Sequence, residues 1–184
     1  NIIFGLEAGA NDYIIKPFSP DKLLLRLDRI VAKKEFFKDY YQAKRKQEYA
    51  EALALLAKKR DSEAGRPYRV EILRQQAETE MASGDAKTAE ETYRTILNNY
   101  EFPWARAGVA RSLHKQERLS EAREEIERVV GSTPTFFDAA DLKANICMAQ
   151  GEAEEAQRVL DEVAKKTPRN YLRKRLLAEK SNRE

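Results

Sequence analysis

The chain has 184 residues, of which 42% are apolar and 35% are charged, and its formal net charge at pH 7 is +3. Domains usually hold roughly 100 to 150 residues, so the length suits one domain or two small ones, and the composition is typical of a helix-rich soluble protein rather than of a disordered chain. The sequence has neither an apolar run of about 18 residues nor a basic region before its first apolar stretch, so it predicts no membrane span and no signal peptide and favours the cytoplasm.

The first 32 residues have a helix-strand-helix pattern. A short helix ends at Gly9, and the β-branched run at residues 13–15 is typical of a strand buried in a parallel sheet. Ser19 and Pro20 then predict the N-cap and the first residue of a second helix. That helix has an apolar stripe made of Leu23, Leu24, Leu27, Ile30 and Val31.

The run Gly9-Ala10-Asn11-Asp12-Tyr13, followed by Lys16-Pro17-Phe18, resembles the last quarter of a bacterial response-regulator receiver domain. The resemblance implies that Lys16 pairs with a phosphoryl group, that the Lys16–Pro17 bond is cis, and that Tyr13 changes rotamer on activation.

In that family the phosphorylated aspartate and the acidic residues that bind Mg²⁺ lie upstream of this segment. We therefore expect the chain to be a piece of a longer protein, with Mg²⁺ bound only in a complete receiver domain. The resemblance also implies a cognate sensor kinase for the full-length protein and a homodimer formed through residues 1–32.

Residues 33–69 are predicted to form a helical connector. Ala52 and Leu56 predict a degenerate first repeat whose partner helix lies within residues 33–46, and residues 61–67 follow as a linker. We expect the helix that begins at Ser19 to run on past Lys33 into the repeats, because a continuous helix transmits rotation well.

Residues 70–169 repeat with a period of 33 to 34 residues, in a register set by three alanines, Ala89, Ala122 and Ala156. Twelve residues before each of them is another alanine, which allows two antiparallel helices to approach closely, and four residues after each is a large apolar residue. Such hairpins stack into a solenoid. The pattern predicts helices over 69–82, 87–99, 103–115, 119–130, 136–149 and 153–165, with turns at Gly84, Glu117 and Gly151.

This register, with Pro134 and Pro168 closing the second and third copies, resembles the tetratricopeptide repeat. The expected fold is mainly α, an α-solenoid of helix hairpins preceded by a truncated α/β receiver-domain remnant. In the family the first helices of the repeats line a concave groove. The resemblance therefore implies a groove lined by Glu71, Arg74, Glu78, Met81, Trp104, Ala107, Arg111, His114, Asp138, Asp141, Asn145 and Met148.

Trp104 beside an arginine is the candidate hot spot of this groove, with the alternative that Trp104 packs under the preceding loop. The adjacent carboxylates at residues 90–91, 124–125 and 154–155 are interleaved with basic residues, which predicts solvated helix faces. Cys147 is the sole cysteine and His114 the sole histidine, so a metal site and a histidine-based triad are unsupported. We expect no enzymatic activity and no cofactor.

The chain ends in a basic segment, and residues 170–184 are predicted to form a capping helix. From Lys165 to Glu184 there are eight Lys or Arg and two Glu, a net charge of +6, so the preceding residues sum to −3. A basic end on a mildly acidic body does not suit a DNA-binding module, and no DNA partner is expected.

These features predict a response regulator whose solenoid binds a partner protein or peptide under the control of receiver phosphorylation. The alternative is a constitutive scaffold or adaptor in which the receiver remnant has only a structural role.

Overall fold

The computed structural model describes residues 16–166 and divides the chain into two compact units, Asn1–Leu55 and Leu56–Glu184. Over the described range all regular structure is helical. The helices are α1 (Pro20–Phe36), α2 (Lys38–Arg45), α3 (Tyr49–Asp61), a 3-10 helix (Glu63–Tyr68), α4 (Arg69–Ser83), α5 (Ala86–Leu97), α6 (Pro103–Lys115), α7 (Leu119–Ser132), α8 (Phe137–Ala149) and α9 (Ala153–Lys166).

Some predicted elements fall outside this range. The helix and strand expected before residue 16, with Tyr13, and the capping helix expected at 170–184 lie outside the described residues. Between residues 16 and 166, no helix is both long and apolar enough to cross a membrane.

Helix α1 begins as the sequence predicts. The Ser19 side chain accepts a hydrogen bond from the backbone amide of Lys22 at 3.4 Å, and Pro20 is the first helical residue. The peptide bond between Lys16 and Pro17 is cis, in agreement with the expectation. No residue of α1 is buried, and Leu24 and Val31 of its apolar stripe are more than half exposed.

The prediction of one continuous helix from Ser19 into the repeats is wrong. α1 stops at Phe36, and Phe37 leaves the helical conformation with φ −98° and ψ 6°. Phe37 and Tyr40 are fully buried, with ring centroids 6.2 Å apart in an edge-to-face arrangement. The break therefore lies where a solvated helix gives way to one with buried aromatic rings, and burial of those rings outweighs helix continuity.

Four turns share one backbone conformation. Gln47, Gly84, Glu117 and Gly151 have φ of 63°, 92°, 60° and 81°, and in each case the amide of the following residue donates to a carbonyl five residues back. Gln47 stands five residues before Ala52, the distance that separates the other three turns from their register alanines. After α3 the sequence predicts a linker over residues 61–67, whereas the structure has the 3-10 helix Glu63–Tyr68 there.

The six helices from α4 to α9 form three hairpins, and their ends agree with the predicted ones to within two residues. We call α4–α5, α6–α7 and α8–α9 the first, second and third hairpin. Each helix packs against its neighbours in sequence, and α6 also contacts α4 and α8. The register alanines and the alanines twelve residues before them are at most 1% exposed. The predicted solenoid is therefore confirmed.

Gly108 lies where the second hairpin packs closely against the first. A Cβ atom added at Gly108 would lie 2.5 Å from Cε1 of Tyr93, and Tyr93 is itself 3% exposed. The missing side chain of Gly108 is therefore what allows the Tyr93 ring to lie flat against α6.

Glu90 connects the first hairpin to the second. Its carboxylate accepts hydrogen bonds from Arg118 Nη1 at 2.8 Å and from Gln116 Nε2 at 2.9 Å. It also accepts one from Arg94 Nε of its own helix at 2.9 Å. Burial opposes the ionisation of Glu90, but the hydrogen bonds from Gln116 and Arg94 and the charge of Arg118 outweigh it and lower the pKa of this carboxyl group.

Arg123 connects the second hairpin to the third in the same way. It pairs with Glu152 and donates from Nη1 to Gln150 Oε1 at 3.2 Å. Arg123 and Glu90 both stand one residue after a register alanine, and their partners stand four and six residues before the next one. The two junctions therefore use one geometry with the charges exchanged, and we call each of them an inter-hairpin clamp.

The expectation that the paired carboxylates all lie on solvated faces is wrong for Glu90 and Glu125. Their side chains are only 9% and 12% exposed, whereas Glu91 and Glu124 are exposed. Arg106 Nη1 lies 2.8 Å from Glu125. A carboxylate that receives arginines from more than one helix can be buried without losing its charge.

We expect Gly108→Ala to destabilise the protein by about 1–3 kcal/mol, because the new methyl group would displace the Tyr93 ring. The matched control is Gly131→Ala in α7, where an added Cβ has nothing within 4 Å. That change should stabilise by about 0.5–1 kcal/mol, the usual gain for alanine in a helix. Urea unfolding measures both, and equal effects of the two substitutions would contradict this account of the packing.

We expect Glu90→Gln to lower the free energy of unfolding at pH 7 by about 1 kcal/mol, because the amide gives up charge-assisted hydrogen bonds. The folded pKa of Glu90 lies below its unfolded value. Its contribution is therefore present above the unfolded pKa and is lost as the pH falls through the folded pKa.

The difference between wild type and Glu90→Gln should accordingly shrink in urea unfolding series taken from pH 7 down to about pH 3. Glu91→Gln, on the exposed neighbour, should stay within about 0.5 kcal/mol of wild type throughout. A deficit in Glu90→Gln that does not depend on pH would show that the charge of Glu90 is not what stabilises the junction.

Candidate functional site

The first helices of the three hairpins are in direct contact with one another, α4 with α6 and α6 with α8. The predicted groove residues lie on these three helices. We call the accessible side chains of this surface the α4–α6–α8 face.

Trp104 lies in a stack of aromatic rings. Its ring is 5.4 Å from that of Phe102, and the Phe102 ring is 5.2 Å from that of Tyr100, with interplanar angles of 18° in both pairs. Trp104 is half-buried and packs against the core, so it does pack on the preceding loop, yet part of its surface stays accessible. The packing of Trp104 on the preceding loop is therefore observed, and its role as a hot spot stays a prediction.

Arg74 joins α4 to this stack. Its guanidinium carbon lies 4.9 Å from the centroid of the Trp104 ring, and its Nε donates to Glu78 Oε1 at 2.9 Å. One cation thus has an aromatic partner on α6 and a carboxylate partner on α4. Such cation–π contacts hold an arginine and an indole in a fixed relative position.

Met81 of α4 and Tyr93 of α5 lie close to residues of α6. The hydroxyl of the buried Ser112 lies 3.1 Å from Met81 Sδ, and Met81 is half-buried. Burial and then Glu78 raise the pKa of Tyr93 to about 12, against the opposing charges of Arg111 and Arg74. The phenol is therefore neutral at pH 7, with charged groups of α4 and α6 around it.

On α6, Arg111 is exposed and His114 is half-buried. Burial and then the charge of Lys115 lower the pKa of His114 below its ordinary value. The imidazole is therefore uncharged at pH 7, and the positive charge on this part of α6 comes from Arg111 and Lys115.

On α8, Asn145 and Met148 are exposed, with 42% of Met148 accessible, and Asp138 is exposed as well. Asp141 is half-buried. The surface of α8 is therefore acidic near the N-terminus of this helix, and the accessible thioether of Met148 lies near its C-terminus.

Most basic side chains of the hairpins have carboxylate partners. Of the lysines and arginines between residues 70 and 160, all of them within the described range, three have no ion pair: Lys87, Arg111 and Lys115. Lys87 is on the second helix α5, and the other two are on α6. The sequence could not reveal this difference, because it depends on which carboxylates other helices bring within reach.

The remaining predicted site residues lie elsewhere. Lys16 and Pro17 are exposed in the first unit, before α1. Cys147 is buried, and burial raises the pKa of its thiol, which makes it a poor nucleophile. Among the residues from 16 to 166, no group of His, Cys, Asp and Glu side chains is arranged to hold a metal ion.

The sequence matches no protein-family model and no curated protein. The fold is similar to that of the MamA RS-1 ArsTM double mutant, with a TM-score of 0.63 and 20% identity over 83% of this chain and 84% of that one. It is also similar to a tetratricopeptide repeat protein from Parabacteroides merdae, with a TM-score of 0.62 and 13% identity over 83% of this chain and 61% of that one. The chain therefore has a tetratricopeptide-repeat-like α-solenoid fold.

Proposed function

We propose that this chain is a protein-interaction scaffold that binds a segment of a partner protein on the α4–α6–α8 face. The observation that carries the proposal is the set of side chains that this face leaves accessible, namely the half-buried Trp104, the exposed Arg111 and the exposed Met148. Tryptophan and arginine are the residue types most enriched in binding hot spots, and methionine adapts to partners of different shape.

The arrangement of the core supports constitutive binding. Among the described residues, the core cluster beneath the face runs from Ala77 to Ile146, and its members all belong to the three hairpins. Trp104 and Met81 pack against that cluster directly. The face is therefore formed by the hairpins themselves, which favours a scaffold that binds without a phosphorylation signal.

Control by receiver phosphorylation is the second candidate. It is favoured by the receiver-like run at residues 9–18 and by α1, whose Leu24, Leu27 and Val31 are exposed as expected of a helix that packs on a receiver sheet. In this version a longer chain would contain the complete receiver, a sensor kinase would phosphorylate it, and the signal would change the affinity of the solenoid for its partner.

The scaffold proposal predicts where a partner can be crosslinked. A photoreactive amino acid in place of Met148 should crosslink a partner from a lysate of the source organism, because this position is on the face. The same amino acid in place of Glu124, an exposed residue of the second helix α7, should not.

Trp104→Ala should reduce the yield at position 148, with the helical content checked by circular dichroism. Equal crosslinking from positions 148 and 124, or a yield that Trp104→Ala leaves unchanged, would argue against binding on this face.

The second candidate predicts that phosphorylation changes partner affinity. The partner captured by the 184-residue chain would be titrated against a longer chain that contains the complete receiver, with and without acetyl phosphate or beryllofluoride. A change of about tenfold would support phosphorylation control, since regulatory couplings commonly amount to 5–150-fold. An affinity that these reagents leave unchanged would support the constitutive scaffold.

A further inference from the structure

Three side chains form a straight stripe along α6. Trp104, Arg111 and Lys115 are separated by seven and four residues, which places them within about 40° of one another around the helix axis at 100° per residue. Arg111 and Lys115 are both exposed, and Trp104 is half-buried. A partner lying on α6 would therefore meet one aromatic ring and, about two turns further on, two positive charges.

Among residues 16–166, neither Arg111 nor Lys115 has a carboxylate within 4 Å. Apart from Arg69, the first residue of α4, every other lysine or arginine on the first helices of the hairpins has a carboxylate within 4 Å: Arg74 with Glu78, Arg106 with Glu125, and Lys143 with Glu127. Arg111 and Lys115 are one turn apart and repel each other mildly, a cost that a bound anion would remove. No carboxylate of the described residues thus pairs with these two cations, and an acidic group of a partner can do so.

The neighbouring helix determines which kind of anion suits this stripe. Asp138 and Asp141 lie on α8, the first helix of the next hairpin, and Asp138 is exposed. A nucleic acid carries a charge on every phosphate, so a strand lying along the face would be attracted at α6 and repelled at α8. A peptide can place a carboxylate at α6 and a neutral or basic side chain at α8.

We propose that the α4–α6–α8 face binds an acidic peptide segment, with a carboxylate between Arg111 and Lys115 and an apolar or aromatic side chain against Trp104. The inference rests on the proposed scaffold function and names the class of partner. Arginine pairs with carboxylates through two parallel hydrogen bonds, and lysine adds a second positive charge. The preference for an acidic peptide therefore comes from α6.

Trp104 is the only tryptophan of the chain and reports directly on this site. Two tryptophan-free peptides of Gly, Ser and Leu, one with Glu at every third position and one with Lys there, would be titrated against the full chain while the Trp104 emission is recorded. We expect the acidic peptide to bind about tenfold more tightly or better, and its affinity to fall as salt is added.

Arg111→Glu should weaken binding of the acidic peptide about tenfold and strengthen binding of the basic one. The matched control is Lys87→Glu, which reverses the charge of the unpaired cation on the second helix α5 and should change either affinity less than about twofold. Both variants keep Trp104, so the readout is the same. Equal losses in the two variants would mean that only the net charge matters and would overturn the proposal.

The remaining outcomes are equally informative. Binding that does not depend on the sign of the peptide's charge, or that is tighter for the lysine peptide, would overturn the proposal of an acidic partner. The face would still be a protein-binding surface. Tighter binding of a single-stranded DNA oligonucleotide than of the acidic peptide, measured by the same Trp104 emission, would overturn both this inference and the scaffold assignment. No change of emission with the acidic peptide would overturn the inference, and the crosslinking from Met148 would then decide the scaffold function separately.

Discussion

The burial of two alanines, one on each helix of a hairpin, is the feature on which the remaining structure depends. Ala77 and Ala89, and likewise Ala110 and Ala122, are fully buried in one core cluster, so the two helices of a hairpin have only methyl groups at these positions. A larger residue here would separate the helices and change where the next hairpin lies. The contact of the Tyr93 ring with Gly108, the core cluster and the contacts between the first helices of successive hairpins all follow from this spacing.

The sequence predicts the solenoid well because its determinants are local and periodic. The register alanines, the large residue four positions later and the turn position five before them are enough to place six helices to within two residues at each end. Glu117 adopts the same left-handed conformation as Gly84 although it is not glycine, so repeat position outweighs the preference of the residue. The sequence does not reveal the break at Phe37, because the break depends on the burial of aromatic rings and not on a local stop signal.

The candidate site was predictable in outline and not in its electrostatics. Repeat position places Arg74, Trp104 and Arg111 on the first helices, where the structure has them. Composition could not separate the cations that pair with carboxylates from Arg111 and Lys115, which do not. The partner carboxylates Glu90 and Glu125 have the same residue type as their exposed neighbours Glu91 and Glu124. Glu90 and Glu125 differ from those neighbours because Arg118 and Arg106 donate hydrogen bonds to them. These arginines are distant in the sequence, so local sequence patterns do not reveal the pairs.

Because the two inter-hairpin clamps have their charges exchanged, deletion or duplication of one hairpin in the gene would produce a junction with mismatched charges. If the middle hairpin were deleted, Glu90 would face Glu152, and if it were duplicated, Arg123 would face Arg118. Unequal crossing-over between the copies would therefore yield proteins with like charges at a semi-buried junction, where repulsion is costly. The order and number of the hairpins are thereby protected by electrostatics, even though their helices share one architecture.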